Sequence, residues 1–329
     1  MPELPEVETV RRRLAACLPG LVVDDVTVND ALVSLQSQDE LRTAVRGRRV
    51  TAVRRRGKYL IVELGDELLV VHLRMTGRLL LAPEPGARPP RLALRLLPAS
   101  ELLFYDTRRF GRVWALPAAH EETFFAALGP EPFGTAFTTR YLRDALRGRT
   151  APLKSFLLDQ RRIAGVGNIY ADEALFRARL NPLRTAGTLG PGEVARLRDA
   201  LLDTLRLGIE QAGASIDTFV DPDGASGAFQ DILNVYGRAG LPCRSCTGTV
   251  QRIELGGRGT HFCPSCQPLP RGSRLAAGGR EALARERAAR HERRGAGARP
   301  PAAPRPRREA PDVPRTPRRE APGTTGDAT

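Results

Sequence analysis

Two pairs of cysteines constrain the fold of this chain most strongly. Cys243 and Cys246 form one CxxC pair, and sixteen residues later Cys263 and Cys266 form a second. This spacing is typical of a zinc site, because each CxxC turn presents two thiolates to one tetrahedral ion. A pair of disulfides is the alternative. Four protein ligands complete the coordination shell, so we expect one structural Zn²⁺, bound where a short module cannot build a hydrophobic core.

The hydrophobic pattern divides the chain before the cysteines into two parts. Apolar residues at helical spacing predict a first helix over residues 4–18, and short alternating runs then predict strands. From about residue 130 the period becomes helical. The fold class is therefore α+β, with an N-terminal antiparallel β-sandwich and flanking helices. The predicted domains are residues 1–130 (β-sandwich), 131–235 (helical), 236–266 (zinc finger) and 267–329 (a disordered Arg/Pro-rich tail).

The individual elements follow from the same periodicities. Asn168 is a candidate N-cap for one helix. The predicted strands are 22–28, 49–54, 59–64, 68–73, 78–81, 91–97, 102–105 and 113–116. The predicted later helices are 138–147, 153–159, 169–178 and 193–212.

Basic residues are distributed unevenly along the chain. Lys plus Arg number 51 against 37 acidic residues, a net charge of +14 that favours an anionic partner. Residues 267–329 contain 15 Arg, 7 acidic residues, 10 Pro and no aromatic residue, which predicts disorder. This tail is either a solvated extension or a tether for DNA or a partner protein. Lys58 and Lys154 are the only lysines, so each is a candidate for chemistry that arginine cannot supply.

Several classes of protein are excluded. No apolar run approaches the 18 residues that a transmembrane helix needs, and the first residues are acidic, unlike a secretory signal. Five cysteines in 329 residues do not make a disulfide scaffold. We therefore expect a cytoplasmic protein that does not contact a membrane.

The N-terminus is a candidate reactive group. Removal of Met1 would leave the secondary amine of Pro2, whose pKa near 8 leaves it partly neutral at physiological pH. A neutral amine attacks an aldehyde-like carbon to give an iminium ion, and Glu3 and Glu6 lie within one turn to move protons. Proline and glutamate are also favoured in a first helical turn for structural reasons alone, so the spacing by itself leaves both interpretations open.

Eight segments together resemble the formamidopyrimidine-DNA glycosylase family of bacterial repair enzymes. The first residues, MPELPEVETVRRRL, resemble its N-terminal signature, and residues 56–60 resemble its lysine-bearing hairpin. Two further segments resemble its groove-facing loops, and others resemble its helix–two-turn–helix element and zinc finger. These segments are 72–77, 106–111, 158–160, 165–170, 236–238 and 243–266. The resemblance covers residues 2–266 in order.

The family implies a reaction and roles for site residues. It excises oxidised purines, such as 8-oxoguanine and formamidopyrimidines, from damaged double-stranded DNA and then cleaves the abasic strand. By resemblance, Pro2 is the nucleophile, Glu3 the acid/base supported by Glu6, and Lys58 a catalytic lysine near the phosphates. The proton donor candidates are Glu3, Lys58 and Arg258.

The family also implies which residues bind DNA. Met75, Arg108 and Phe110 resemble those that fill the gap left by a flipped nucleotide. Asn168 and Arg258 resemble phosphate ligands, and Lys154 resembles a lysine near the flipped nucleotide. The loop at residues 219–229 corresponds to a mobile segment that closes over the lesion.

Two departures and two alternatives accompany this assignment. Ala228 stands where some relatives carry an aromatic residue, and the tail after Cys266 has no counterpart in a typical member. One alternative is an endonuclease VIII-type glycosylase for oxidised pyrimidines; the other is a non-catalytic DNA-binding zinc protein. We expect a monomer, since nothing in the sequence suggests more.

The first prediction separates the two glycosylase branches. The LPEVET start and the DxRRFG loop favour the purine branch, so excision should be faster from 8-oxoguanine:C duplexes than from thymine-glycol:A duplexes. Single-turnover excision rates on matched sequences measure this. Faster excision of the pyrimidine lesion would contradict the assignment.

Overall fold

The computed structural model describes residues 1–269, 275, 278–285 and 288, and Met1–Arg287 fall into one compact unit. The other positions, with most of the predicted tail, lie outside the described residues. Helix α1 (Leu4–Cys17) opens the chain and helix α2 (Gln38–Val45) follows the first strand. The strands up to residue 117 are β1 Val22–Val28, β2 Ala52–Arg56, β3 Tyr59–Leu64, β4 Glu67–His72, β5 Arg78–Leu80, β6 Leu92–Leu97, β7 Ser100–Tyr105 and β8 Arg112–Pro117.

These strands form an antiparallel β-sandwich, which confirms the predicted fold class. One sheet has the order β1-β6-β7-β5 and the other β2-β3-β4-β8, with registers such as Tyr59 opposite His72. Alternate residues of both sheets meet in a core that also includes one face of α1. The second sheet is buried on its outer face too, where Ile61, Leu68 and Val70 pack against Phe125. This explains why β3 and β4 are almost continuously apolar.

The helical part begins with α3 (Glu121–Phe125). It continues with α4 (Thr139–Leu146), α5 (Leu153–Leu158), α6 (Asn168–Arg177) and α7 (Pro191–Glu210). The apolar faces of α4 to α7 share a core with Leu4 of α1, so the first helix joins both halves. The predicted bounds agree within three residues for most elements. Helix α2 went unpredicted because only Leu41 and Val45 of its eight residues are buried.

One predicted cap is wrong. Asn168 is the first residue of α6, and Gly167 is its N-cap with no side-chain hydrogen bond. The acceptor for the first N–H groups of α6 comes instead from Glu3, whose carboxylate accepts from Ile169 N at 2.9 Å. A cap supplied from 166 residues away leaves no local sequence signal.

The cysteine module forms the predicted hairpin, β9 (Gln251–Leu255) with β10 (Arg258–Phe262). Two buried side chains fasten it to the helical part. Gln267 donates to Leu180 O at 2.8 Å and accepts from Cys263 N at 2.9 Å. Glu173 of α6 accepts from the backbone N–H groups of residues 234–236 at 2.8–2.9 Å.

The prediction of disorder from residue 267 onward is wrong for a short stretch. Gln267 is fully buried, and residues 278–285 are helical. Leu275 and Ala282 pack with Leu183 and with apolar residues of the hairpin, which supplies the burial that composition alone did not predict. Among the described residues, no helix is long and apolar enough to cross a membrane.

The second prediction tests where the folded part ends. Gln267→Ala leaves a buried N–H and a buried carbonyl without partners, so it should lower the free energy of unfolding by about 1–3 kcal/mol. Denaturant unfolding measures this. Truncation after Ala288 is the control and should leave the free energy of unfolding unchanged. If Gln267→Ala also leaves it unchanged, Gln267 does not fasten the zinc finger to the helical part.

Candidate active site

The N-terminal residues are held against the start of α6. Leu4 N donates to Gly165 O at 3.0 Å, and the Glu3 carboxylate accepts from Ile169 N and, at 3.4 Å, from Tyr170 N. A Cβ on Gly167 would lie 2.2 Å from Glu3 Cδ, so only glycine fits there. The GVGN segment thus makes room for a carboxylate at the positive end of a helix.

Glu6 joins three parts of the chain. Its carboxylate accepts from Glu3 N at 2.7 Å, from Tyr170 Oη at 2.7 Å and from Ala214 N at 2.8 Å. The last contact is possible because Gly213, with φ of +82°, has no Cβ to clash with Glu6. Glu6 therefore positions the N-terminus relative to α6 and to the loop that follows α7.

Lys58 lies in the β2–β3 turn, which Gly57 closes with φ of +58°. Its side chain is buried, and among the described residues Nζ has no hydrogen-bond or ion-pair partner. Burial lowers the pKa of Lys58, an effect that the charges of Glu3 and Glu6 oppose. Burial also raises the pKa of Glu3 to about 7, against the attraction of Lys58. The site thus holds an acid that titrates near neutral pH beside an unpaired amine.

Two loops at the ends of the sandwich strands carry the predicted DNA-contacting residues. Asp106 organises one of them by accepting from Gly111 N at 2.6 Å and Arg108 N at 3.1 Å. The Arg108 guanidinium lies 5.0 Å from the Phe110 ring centroid, and that ring is half exposed. Met75, on the other loop, lines a small cleft together with Pro2, Ile169, Phe219 and Tyr236. The structure therefore brings Met75 to the reactive end of the chain and leaves Arg108 and Phe110 free at the surface.

Lys154 is buried within the protein. It is 1% exposed, and Nζ contacts Asp172 Oδ1 at 2.7 Å, Gly259 O at 2.8 Å and Thr260 Oγ1 at 3.0 Å. All three of its donors are therefore occupied within the protein. Lys154 thus ties α5 to α6 and to the zinc hairpin, and its DNA-binding role stays a prediction.

Of the two predicted phosphate ligands, Arg258 lies on this hairpin and Asn168 lies on α6 in contact with it. Arg258 is exposed at the start of β10, and its positive charge contributes to the lowered pKa of both Lys58 and Lys154. Asn168 is half-buried and donates from Nδ2 to Gly259 O at 3.1 Å, while its Oδ1 is buried and has no hydrogen-bond partner in the part of the chain that the structure describes. Arg258 and Asn168 thus flank the same edge of the cleft.

The loop after α7 crosses to the β-sandwich. Phe219 packs into the sandwich core, Leu81 N donates to Pro222 O at 3.0 Å, and Asp223 pairs with Arg13 of α1. Phe229 returns to the helical part, where its ring stacks on Tyr170 at 4.9 Å. Ala228 contributes backbone contacts: its N–H donates to Gln211 O at 2.8 Å and its carbonyl accepts from Asp231 N at 3.1 Å.

The four predicted cysteines form one cluster. Their sulfur atoms all lie within 4.8 Å of one another, with 3.8 Å between Cys243 and Cys266 and 3.6 Å between Cys246 and Cys263. Tetrahedral zinc with Zn–S bonds of about 2.3 Å requires S–S separations of about 3.8 Å. The residues present therefore fit one Zn²⁺ with a closed, structural shell.

Several positioning residues were missed in the sequence. Asp172 accepts from His261 N at 2.9 Å as well as pairing with Lys154, and Glu173 fastens the segment before the zinc finger. Gln160 spans the two-turn element by accepting from Gly165 N and donating to Val166 O. Acidic residues inside an apolar helix were the one signal that could have indicated buried partners.

Comparisons with known proteins agree with this arrangement. The formamidopyrimidine-DNA glycosylase N-terminal domain matches residues 1–113, the helix–two-turn–helix domain of the same enzymes matches 128–220, and a zinc finger found in these glycosylases and in isoleucyl-tRNA synthetase matches 240–269. The chain belongs to the formamidopyrimidine-DNA glycosylase family. It is therefore a bifunctional DNA glycosylase and abasic-site lyase of DNA repair with a structural zinc finger, which rules out the non-catalytic alternative.

Individual relatives of the formamidopyrimidine-DNA glycosylase family match over their full length. The enzyme of Heliobacterium modesticaldum is 48% identical over an alignment that covers 81% of this chain and 100% of the relative. The enzyme of Pelotomaculum thermopropionicum is 44% identical over 82% of this chain and 100% of the relative. The crystal structure of the Thermus thermophilus family member is 44% identical with a TM-score of 0.75, over 82% of this chain and 100% of that one. A Lactococcus lactis member in complex with abasic-site DNA is 35% identical with a TM-score of 0.76, over 81% and 100% of the chains.

The third prediction concerns Glu3 and pH. A carboxyl group whose folded pKa is about 7 and whose unfolded pKa is about 4.5 stabilises the fold fully below the lower value. That stability is lost as the pH rises toward 7, at about 1.4 kcal/mol per unit. The Glu3→Gln side chain cannot ionise. The free energy of unfolding of this variant, relative to that of the wild type, should therefore rise by about 3 kcal/mol between pH 4.5 and pH 7.5. Denaturant unfolding across that range measures the difference, and parallel pH profiles would contradict it.

The fourth prediction distinguishes a buried tie from a DNA ligand at Lys154. Lys154→Met leaves Asp172 charged, buried and uncompensated, so the free energy of unfolding should fall by about 3–5 kcal/mol. The double variant Lys154→Met, Asp172→Asn removes that charge and should recover part of the loss. Weaker DNA binding with unchanged stability in Lys154→Met would instead favour a direct DNA contact.

Proposed function

We propose that this enzyme removes oxidised purines from double-stranded DNA through a covalent intermediate on Pro2, and then cleaves the strand. The single observation that carries the proposal is the burial of Glu3, with a pKa of about 7, directly beside Pro2 and close enough to Lys58 for each charge to shift the other's pKa. The Lactococcus lactis relative has been solved in complexes with Fapy-dG DNA and with abasic-site DNA.

The first step replaces the damaged base with the enzyme. Removal of Met1 frees the Pro2 amine, which attacks C1′ of the flipped deoxyribose. The N–C1′ bond forms while the glycosidic bond breaks, and the base leaves with the bonding pair and takes up a proton. The amine loses its proton, and Glu3 protonates the ring oxygen as the C1′–O4′ bond opens, which leaves an iminium ion.

The second step uses the iminium as an electron sink. Loss of a C2′ proton breaks the C3′–O3′ bond, and loss of a C4′ proton then expels the 5′ phosphate. Water hydrolyses the remaining iminium and returns Pro2. A group with a pKa of about 7 suits this sequence, because it gives and takes a proton at similar cost near neutral pH.

Lys58 and Arg258 complete the site on the phosphate side. The free Nζ of Lys58 supplies a compact charge and a transferable proton to the scissile phosphate, whereas the planar guanidinium of Arg258 holds a phosphate without giving up a proton. Asn168 adds a neutral donor at the same edge. This division of labour explains a lysine in a chain with 49 arginines among its 51 basic residues.

Met75, Arg108 and Phe110 maintain the duplex around the extruded nucleotide. Met75 lies beside Pro2 and enters the vacated space as an apolar wedge. The half-exposed Phe110 ring replaces lost stacking, and Arg108, already lying over that ring, donates to the unpaired base opposite. The enzyme acts on this substrate as a cytoplasmic monomer.

The fifth prediction tests the covalent intermediate. Borohydride should trap the wild type on an 8-oxoguanine duplex as an adduct whose mass places the link on the Pro2 peptide, lacking Met1. The Pro2→Gly, Glu3→Gln double variant should lose most of the adduct, because both the secondary amine and the proton donor are gone. Glu122→Gln, an exposed change on α3, is the control. An undiminished adduct in the double variant would overturn the mechanism.

A further inference from the structure

The two loops that carry the proposed DNA-contacting residues are neighbouring connections between the sheets of the sandwich. The Met75 loop (residues 73–77) leads from β4 of one sheet to β5 of the other, and the Arg108 loop (residues 106–111) returns from β7 to β8. Strand β4 pairs with β8 and β5 pairs with β7, and both pairings start at the residues directly next to the loops. The register therefore places the two loops side by side at one end of the sandwich.

Each loop packs closely on its own strands. In the Met75 loop, Gly77 N donates to Leu73 O at 2.9 Å, and a Cβ on Gly77 would lie 2.3 Å from that oxygen. In the Arg108 loop, a Cβ on Gly111 would lie 2.4 Å from Cζ of Phe104. Because neither glycine has room for a side chain, the backbone of each loop has little freedom, and a shift of one residue displaces its neighbours.

A hydrogen-bonded bridge joins the two loops. Thr76 Oγ1 donates to Asp106 Oδ1, and Arg108 N lies 3.2 Å from the first oxygen and 3.1 Å from the second. The Thr76 hydroxyl therefore donates to one residue of the Arg108 loop and accepts from another. Thr76 follows Met75 directly in the chain, so the bridge connects the backbones of two DNA-contacting residues.

The Asp106 end of the bridge is anchored inside the protein. Its side chain is fully buried, and Oδ2 accepts from Gly111 N at 2.6 Å and from Arg91 Nη1 at 3.3 Å. Arg91 is held in turn by Asp30, which accepts from its Nε at 2.8 Å. Thr76 is only half-buried, so loss of its hydroxyl would break the link between the loops and leave this anchor in place.

The base opposite the lesion determines how firmly Arg108 is held. A guanidinium group has donors only. An unpaired cytosine presents two adjacent acceptors to it, N3 and O2, whereas an unpaired adenine presents one acceptor, N1, beside a donor amino group. The Arg108 side chain is therefore fixed more firmly opposite cytosine than opposite adenine.

We propose that the Thr76–Asp106 bridge makes Arg108 and Met75 act as one unit, so that recognition of the opposite base assists insertion of Met75 and extrusion of the damaged nucleotide. Thr76 is then a positioning residue, which acts on the substrate only through the two residues that contact it. This inference rests on the roles of Met75 and Arg108 in the proposed function and extends them from filling the gap to selecting the opposite base.

Thr76→Val tests the bridge, because it removes the hydroxyl and keeps the shape of the side chain. Single-turnover excision is compared on 8-oxoguanine:C and 8-oxoguanine:A duplexes of matched sequence. The ratio of the two rates should fall by about 2–10-fold, the effect of one lost hydrogen bond, mainly because excision opposite cytosine becomes slower.

Thr76→Ser is the matched control, because it keeps the hydroxyl, and its ratio should stay near that of the wild type. A purely structural role would lower both rates by the same factor. An unchanged ratio in Thr76→Val, or a Thr76→Ser variant that loses as much selectivity as Thr76→Val, would overturn the inference.

A comparison of double variants separates this inference from the proposed function. Met75→Ala and Arg108→Ala are made singly and together, both in the wild type and in Thr76→Val. In the wild type, the combined loss of excision opposite cytosine should be smaller than the product of the single losses, because either change alone already disables the shared unit. In Thr76→Val, the combined loss should approach that product.

The two ways in which this comparison could fail are distinguishable. If the combined loss has the same relation to the single losses in both backgrounds, the bridge does not couple the loops, and only the inference is overturned. If neither Met75→Ala nor Arg108→Ala changes excision, the roles in the proposed function are themselves wrong, and the inference falls with them.

Discussion

A buried carboxylate at a helix N-terminus is the contact on which the rest of this structure depends. Glu3 is the N-cap residue of α1, and its carboxylate also accepts hydrogen bonds from N–H groups in the first turn of α6. The interaction joins the first residues of the chain to the two-turn element, and it needs glycine at 167 to fit. The favourable helix end offsets only part of the cost of burial, and the remainder is what raises the pKa of Glu3.

Helix α6 connects this contact to several other parts of the molecule. Asp172 pairs with Lys154 and with the hairpin at His261, and Glu173 binds the segment that leads into the zinc finger. With Tyr170 bonded to Glu6 and stacked on Phe229, one ten-residue helix contacts the N-terminal segment, the loop after α7 and the zinc hairpin. Because these contacts are charged or hydrogen-bonded and buried, each helps to fix the position of its partner closely.

The sequence predicted local features well and long-range ones poorly. Strands Val22–Val28 and Tyr59–Leu64 match their predicted bounds, since alternation and turn residues are encoded nearby. The cysteine spacing likewise identified all four ligands of one ion. The cap of α6 depends on a residue 166 positions away, and the burial of Lys154 depends on one 105 positions away. The helical segment at 278–285 depends on an apolar face of the hairpin. Local sequence patterns cannot predict such contacts, because the two contacting residues lie too far apart in the sequence.

The ion pair between Arg13 and Asp223 has a kinetic consequence. It fastens the tip of the loop after α7 to the first helix, and both side chains are about half exposed. Added salt therefore screens this pair as well as the contacts with DNA phosphates. Any dependence of turnover on ionic strength would therefore combine weaker association with DNA and weaker attachment of this loop to α1.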